Sequence, residues 1–216
     1  MSTRRTEIGR QGRLQLALLA VGVLLLMTLV IDRIFFDSSS TPAGTGSGVA
    51  KTQVRELPPF SAIDLAGANN VIVHVGGKQS VIVHADSNLL GRVTTRVRAG
   101  RLVIGTTPGS LNAKTPMFVA VSLPVLDNLK LAGAGNIAAT GTTAKLGVTL
   151  SGAGNVLLRE LVARDARAVL SGDGTITLTA TRSLAATLSG RGTILYGGNP
   201  ARVTRTVTGS GVISAQ

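Results

Sequence analysis

The chain has 216 residues, a formal net charge of +12 and no cysteine, and only 2% of its residues are aromatic. The absence of cysteine excludes disulfides, zinc–thiolate sites and cysteine nucleophiles. Because aromatic side chains normally supply the largest units of burial, their scarcity favours a thin, regular core of small aliphatic residues.

Most of the positive charge lies after residue 37, where 17 Lys and Arg accompany 7 Asp and Glu. A nucleic-acid-binding protein would pair such charge with stacking aromatics or a recognition helix, and the sequence has neither. The charge therefore indicates either a solvated basic surface or attraction to anionic envelope polymers and lipid headgroups.

The amino terminus has the features of a membrane anchor. From Leu14 to Ile31 the sequence contains no charged residue, which is about the length that a helix needs to cross the hydrocarbon core. Arginines precede this run, so the positive-inside rule predicts a cytoplasmic amino terminus and an extracytoplasmic remainder. The alternative is a signal peptide cleaved after Ala43, but charged and bulky residues at 32–37 separate that position from the apolar run.

We divide the chain into four parts on this basis. Residues 1–13 are a cytoplasmic basic segment, and residues 14–36 are the transmembrane anchor. Residues 37–57, rich in Ser, Gly and Thr, are expected to be a flexible linker. Residues 58–216 form the folded domain.

A glycine-centred motif recurs through the folded domain. The first glycines of successive copies are 18 to 20 residues apart. Five near-regular copies of about nineteen residues are typical of a solenoid. The copies are Leu131–Ile137, Leu150–Val156, Leu170–Ile176, Leu188–Ile194 and Val207–Ile213.

The residues within a copy alternate strictly between aliphatic and polar. Leu146, Val148 and Leu150 share one parity with the glycines that follow them, which is a strand pattern. Nineteen residues are too few for a strand and a well-formed helix, so the repeat predicts an all-β fold, a parallel β-helix with one coil per copy.

The repeat also predicts contacts between successive copies. The paired glycines face inward at corners, where side chains would collide. Asp173 and Arg191 occupy the same motif position in neighbouring copies, so we expect an exposed ion pair between them. Outward residues should stack in a ladder made of Asn136, Asn155, Thr175 and Thr193.

These copies, preceded by Phe60–Leu65 and Val71–Val75, resemble the head GIN domain family of auto-transporter adhesins. The resemblance covers about residues 58–215. It implies a single-stranded right-handed β-helix of the pectate-lyase-like class in the bacterial envelope. It implies no activity and transfers no functional residue.

No motif in the sequence carries recognisable chemistry. The glycine pairs lack the third glycine of a dinucleotide-binding loop. His74 and His84 point outward by parity with only Asp86 as a close carboxylate, too few ligands for a metal site. The remaining carboxylates are scattered along the chain. We therefore predict no catalytic, cofactor-binding or metal-binding residue and no cofactor.

The sequence thus predicts a non-enzymatic, membrane-anchored cell-envelope protein that presents a β-helical surface for binding, structural or adhesive roles. The alternative is a carbohydrate-active enzyme, a polysaccharide lyase or hydrolase, on a pectate-lyase-like β-helix. The expected partners are the membrane and either anionic envelope polymers or an envelope protein, with no nucleic acid. The expected localisation is a single-pass cell-membrane protein, and the sequence leaves the oligomeric state open.

Overall fold

The structure, a computed structural model, describes residues 44–216. These residues form fourteen β-strands and one short 3-10 helix, η1 (Leu90–Arg92). The strands are β1 (Ala50–Val54), β2 (Ala62–Leu65), β3 (Asn70–Val75), β4 (Ser80–Asp86), β5 (Val93–Arg98), β6 (Arg101–Thr106), β7 (Phe118–Leu123), β8 (Asn128–Leu131), β9 (Asn136–Leu150), β10 (Asn155–Leu170), β11 (Thr175–Leu188), β12 (Thr193–Gly197), β13 (Arg202–Val207) and β14 (Val212–Ala215).

All fourteen strands belong to one sheet. Its main path runs β1-β4-β7-β3-β9-β10-β11-β12-β14, and β2, β5, β6, β8 and β13 pair beside that path. The sheet is curled but open, like half of a barrel. The all-β prediction is confirmed, whereas the predicted single-stranded right-handed parallel β-helix is wrong.

The amino-terminal strands show why the repeat misled the prediction of fold class. The pairs β1–β4, β4–β7 and β5–β6 are antiparallel. Ala99 and Gly100 both have positive φ, 48° and 70°, between the paired residues Arg98 and Arg101. Two positive φ values favour a tight hairpin, which forces its strands to be antiparallel. The repeated copies lie only in the carboxyl-terminal part of the sheet, so they could not specify how the whole sheet curves or closes.

The predicted stacking of the copies is confirmed. β10 pairs in parallel with β9 on one side and with β11 on the other. Asn155 lies opposite Asn136 and Thr175, and Leu170 lies opposite Leu150 and Leu188. Equivalent residues of successive copies are therefore neighbours across the sheet, as the spacing of the repeat predicted.

The core consists of the inward residues of these strands. Leu146, Val148 and Leu150, assigned inward by parity, are each at most 3% exposed. The largest fully buried side chains are all Leu or Ile, which confirms the prediction of an aliphatic core. Burial of such side chains contributes roughly 25 cal/mol for each Å² of apolar surface removed from water.

The glycine pairs lie at bends where backbones of successive copies nearly touch. A Cβ atom added to Gly172 would lie 1.9 Å from the carbonyl oxygen of Gly152, and one added to Gly190 would lie 2.0 Å from that of Gly172. The obstacle is backbone, which cannot rotate away. Close approach explains these glycines, because neither has a positive φ.

The described residues begin inside the stretch expected to be a linker. Within 37–57, residues 50–54 form β1, which pairs antiparallel with β4. The predicted segments at 1–13 and 14–36 lie outside the described residues. Among residues 44–216, no helix is long and apolar enough to cross a membrane.

Replacing Gly172 with Ala is expected to lower the free energy of unfolding by at least about 2 kcal/mol, because the methyl group overlaps the backbone of the copy below. Ala153, which is exposed and lies between the two glycines of its copy, provides the control. The urea unfolding midpoint of the Ala153→Ser variant should match that of the wild type. Equal midpoints for all three proteins would show that the bends do not stack closely.

Candidate binding surface

Two outward rows of side chains cross the sheet along its main path. Each of the nine strands of the path contributes one residue to each row. The first, the ladder row, comprises Thr52, His84, Phe118, Asn70, Asn136, Asn155, Thr175, Thr193 and Val212. The second, the apolar row, comprises Val54, Ile82, Ala120, Ile72, Ala138, Leu157, Thr177, Leu195 and Ser214.

The apolar row is exposed hydrophobic surface in the middle of a regular sheet. Its side chains of Val54, Ile72 and Leu157 are 53%, 50% and 45% exposed. The strand neighbours of Ile72 and Leu157 point into the core, so these two residues face outward by the alternation of the strand. Val54 belongs to the same row through its pairing with Ile82. A continuous outward row of this kind is more informative than scattered exposed aliphatics, because it marks a surface for contact.

Our sequence interpretation missed the apolar row. The sequence signal for this row is a break in the alternation of aliphatic and polar residues, at which three consecutive residues are apolar. The middle residue of each triplet points outward, as in Val71-Ile72-Val73 and Val156-Leu157-Leu158. Only the register of the structure shows that these middle residues lie side by side.

The predicted ladder of outward polar residues is confirmed and extends one strand further. Asn155 Nδ2 donates to Asn136 Oδ1, and Asn136 Nδ2 donates to Asn70 Oδ1, each at 2.9 Å. Thr175 and Thr193 continue the ladder on the next two strands. Asn136 and Asn155 each spend one N–H on the ladder, so the second N–H of each remains available to a ligand, whereas Asn70 only accepts within the ladder.

Both histidines point outward, as their parity predicted. The ring of His84 stacks on Phe118 of the neighbouring strand, with 4.2 Å between centroids and 13° between planes. His74 Nδ1 lies 3.2 Å from Thr140 Oγ1. The stacked His84–Phe118 pair therefore places two aromatic side chains next to each other within the ladder row.

The ladder and apolar rows contain no Lys, Arg, Asp or Glu. Five basic residues lie instead on a second outward surface, which we call the basic face: Arg96, Arg98, Arg101, Lys130 and Arg167. Arg98 lies opposite Arg101 on adjacent strands, and Asp64 accepts a hydrogen bond from Arg101 at 2.8 Å. The sheet therefore separates an uncharged surface from a positive one.

The predicted ion pair between Asp173 and Arg191 is confirmed. Arg191 Nη2 lies 2.7 Å from Asp173 Oδ2, and Nε lies 3.2 Å from Oδ1. The hydrogen bond from Arg191 lowers the pKa of Asp173. The pair bridges successive bends, so it reports their register.

Asp165 is the most strongly held of the carboxylates. Arg182 Nε donates to Asp165 Oδ1 at 2.7 Å, and Ser183 Oγ donates to the same oxygen at 2.6 Å. The hydrogen bonds from Arg182 and then from Ser183 lower the pKa of Asp165 from 3.8 to about 2.

Asp86 is fully buried beneath the first described residues. Burial alone would raise its pKa, but backbone N–H groups of Thr115, Gly48 and Lys114 hold the pKa below its usual value. These donors lie 2.7 to 3.1 Å from the carboxylate oxygens. Asp86 thus fastens the segment before β1 and the segment before β7 to β4.

These contacts keep the carboxylates apart from one another. Asp64, Asp165 and Asp173 each pair with an arginine. Within residues 44–216, no three His, Asp or Glu side chains group closely enough to hold a metal ion. The outer surface is extended and is lined by the ladder and apolar rows of uncharged side chains.

The fold and the outward rows define an all-β domain with a curled, open sheet. The chain belongs to the family described as "Putative auto-transporter adhesin, head GIN domain", whose model matches residues 59–140 and 128–200. The family resemblance predicted from the repeat is therefore confirmed.

Solved structures are similar to this chain at low sequence identity. A "putative adhesin" from Bacteroides fragilis is 18% identical with a TM-score of 0.55, over 80% of this chain and 99% of its own. A "putative lipid binding protein" from Parabacteroides distasonis is 20% identical with a TM-score of 0.38, over 80% and 98%. A "putative adhesin" from Parabacteroides merdae is 17% identical with a TM-score of 0.40, over 80% and 98%. A search of the curated proteins finds no match.

Acid is expected to remove the stabilisation that Asp165 provides. Because the folded pKa of Asp165, about 2, lies below the usual aspartate value of 3.8, its contribution is complete above pH 4 and falls away between about pH 4 and pH 2. The urea midpoints of the wild type and the Asp165→Asn variant should differ at pH 6 and converge as the pH falls to 2. A difference that is the same at both pH values would contradict the assigned ion pair.

Proposed function

We propose that this protein is a non-enzymatic cell-envelope protein that makes adhesive contacts through the ladder and apolar rows of its sheet. The observation that carries the proposal is the register, which aligns outward aliphatic and amide side chains across nine strands without a charged residue. Such a surface offers hydrophobic contact and hydrogen bonds at regular intervals. The family assignment supports the same reading.

The environments of the carboxylates argue against the alternative of a polysaccharide lyase or hydrolase. A glycoside hydrolase needs a carboxylic acid whose pKa is raised, close to a second carboxylate. Here the pKa values of Asp86, Asp165 and Asp173 are lowered by donors that stabilise the ionised form. These aspartates are held ionised, which suits ion pairing and not general acid catalysis.

The membrane and the basic face complete the proposal. Residues 14–36 would hold the chain in the cell membrane with the amino terminus in the cytoplasm and the sheet outside. The basic face would then meet anionic envelope polymers or headgroups, whose negative charge complements Arg98, Arg101 and Arg167. This attraction is electrostatic and weakens with salt, which distinguishes it from contact through the uncharged rows.

The topology can be tested with protease added to intact cells. The region after Ser38 should be degraded, while an epitope placed before Arg4 should be protected until the cells are lysed. Isolation of a mature chain that begins near Gly44 would contradict the anchor and indicate a secreted protein.

The contact surface can be tested by charge substitution. Ile72→Glu and Leu157→Glu should each reduce retention of the full chain on isolated cell envelopes by about tenfold or more, because a carboxylate would have to be desolvated in the contact. Val125, 50% exposed and outside both rows, is the matched control, and Val125→Glu should bind like the wild type. Unchanged retention of both row variants, with wild-type urea midpoints, would contradict the proposed contact surface.

A further inference from the structure

The two outward rows have a repeating chemistry along the main path of the sheet. Nine strands at a spacing of about 4.8 Å give each row a length of roughly 38 Å. Asn70, Asn136 and Asn155 repeat one amide group on three successive strands. A ligand that uses this length must itself be extended and repetitive, and the absence of charged groups in the rows selects an uncharged one.

The apolar row is one residue wide and has hydrogen-bonding groups on both sides. Asn136 lies two residues before Ala138, and Thr140 lies two residues after it on the same face of β9. In the same way His74 follows Ile72, and Ser122 follows Ala120. Successive outward residues of a strand are about 6.7 Å apart, so the apolar strip has roughly the width of a sugar ring.

The stacked pair of His84 and Phe118 adds aromatic carbon to the same surface. The pair lies beside Asn70 in the ladder row, and the next outward residues along its strands are Ile82 and Ala120 of the apolar row. Because the two rings stack face to face across neighbouring strands, they present their edges to solvent, and these edges widen the apolar row locally. A pyranose presents C–H groups on its faces, which pack on apolar surface, and hydroxyl groups at its rim.

We propose that the ladder and apolar rows bind a linear, uncharged polysaccharide, which lies across the strands with its sugar faces on the apolar row. Its hydroxyl groups bond to the free amide donors on one side and to the Ser and Thr hydroxyls on the other. This inference rests on the proposed function, because it names the ligand of the same surface.

Other occupants fit the rows less well. A bilayer surface is recognised by large apolar side chains flanked by several cations. Next to the apolar row the strand residues supply one cation, Arg159, whose guanidinium donates a hydrogen bond to Gln216. A second copy of the chain would need about 800 Å² of buried surface on each partner, which a strip one residue wide does not supply. Amide and hydroxyl ladders on both sides of the strip would also remain unpaired against a lipid or an apolar protein surface.

Isothermal titration calorimetry can test the proposal with the full chain in phosphatidylcholine nanodiscs. The probes are two uncharged polysaccharides, a mixed-linkage β-glucan and a galactomannan, and the anionic polygalacturonate. We expect at least one uncharged polysaccharide to bind with an affinity that changes little with salt. Phe118→Ala, which removes one ring of the stacked pair, and Leu157→Lys should each weaken this binding by about tenfold or more. Val125→Lys should leave it unchanged.

The outcomes separate this inference from the proposed function. If neither uncharged polysaccharide binds, or if the variants bind like the wild type with unchanged urea midpoints, the polysaccharide assignment is overturned. Binding of polygalacturonate alone would also overturn the polysaccharide assignment. So would binding of phosphatidylcholine vesicles or of a second copy of the chain, if Leu157→Lys abolishes that binding. The proposed function would still stand if Ile72→Glu and Leu157→Glu abolish retention on cell envelopes. If these two variants are retained like the wild type, the proposed function and the polysaccharide assignment both fail.

Discussion

The close stacking of backbone on backbone at the glycine bends constrains the rest of the sheet. A side chain on Gly172 would collide with the carbonyl group of Gly152, so each bend can lie only where the bend of the previous copy leaves room. The position of one bend fixes the position of the next. Both strands at a bend start from that bend, so fixing the position of the bend also fixes the register of the two strands. A slip of the register by one residue would turn the core residues outward.

The fixed register turns a short repeat into long surfaces. Residues such as Asn136 and Asn155, one per copy, become adjacent hydrogen-bonding groups, and isolated aliphatics such as Leu157 join a row that crosses nine strands. The same register gathers Arg98, Arg101 and Arg167 on another face. Electrostatic separation of the two surfaces thus follows from strand alignment, and the contacts proposed for the two surfaces would differ in their dependence on salt.

The carboxylates show how the same framework disfavours chemistry. Asp165 and Asp173 meet arginines of the next copy, and Asp86 meets three backbone donors. Each contact stabilises the ionised form and fixes neighbouring segments to each other. Their role in this sheet is structural.

The sequence by itself determined the strands, the inward aliphatics, the stacking of copies and the Asp173–Arg191 pair, because all of these depend on spacing along the chain. It also indicated the family through its repeated motif. It did not determine the shape of the sheet, since the hairpin at Ala99 and Gly100 and the antiparallel strands β1 and β4 lie outside the repeat. Only the tertiary structure placed Phe118 on His84 and Ile72 beside Ala138. Pairing between strands that are distant in sequence decides which outward residues become neighbours. The periodicity along one strand does not specify that pairing.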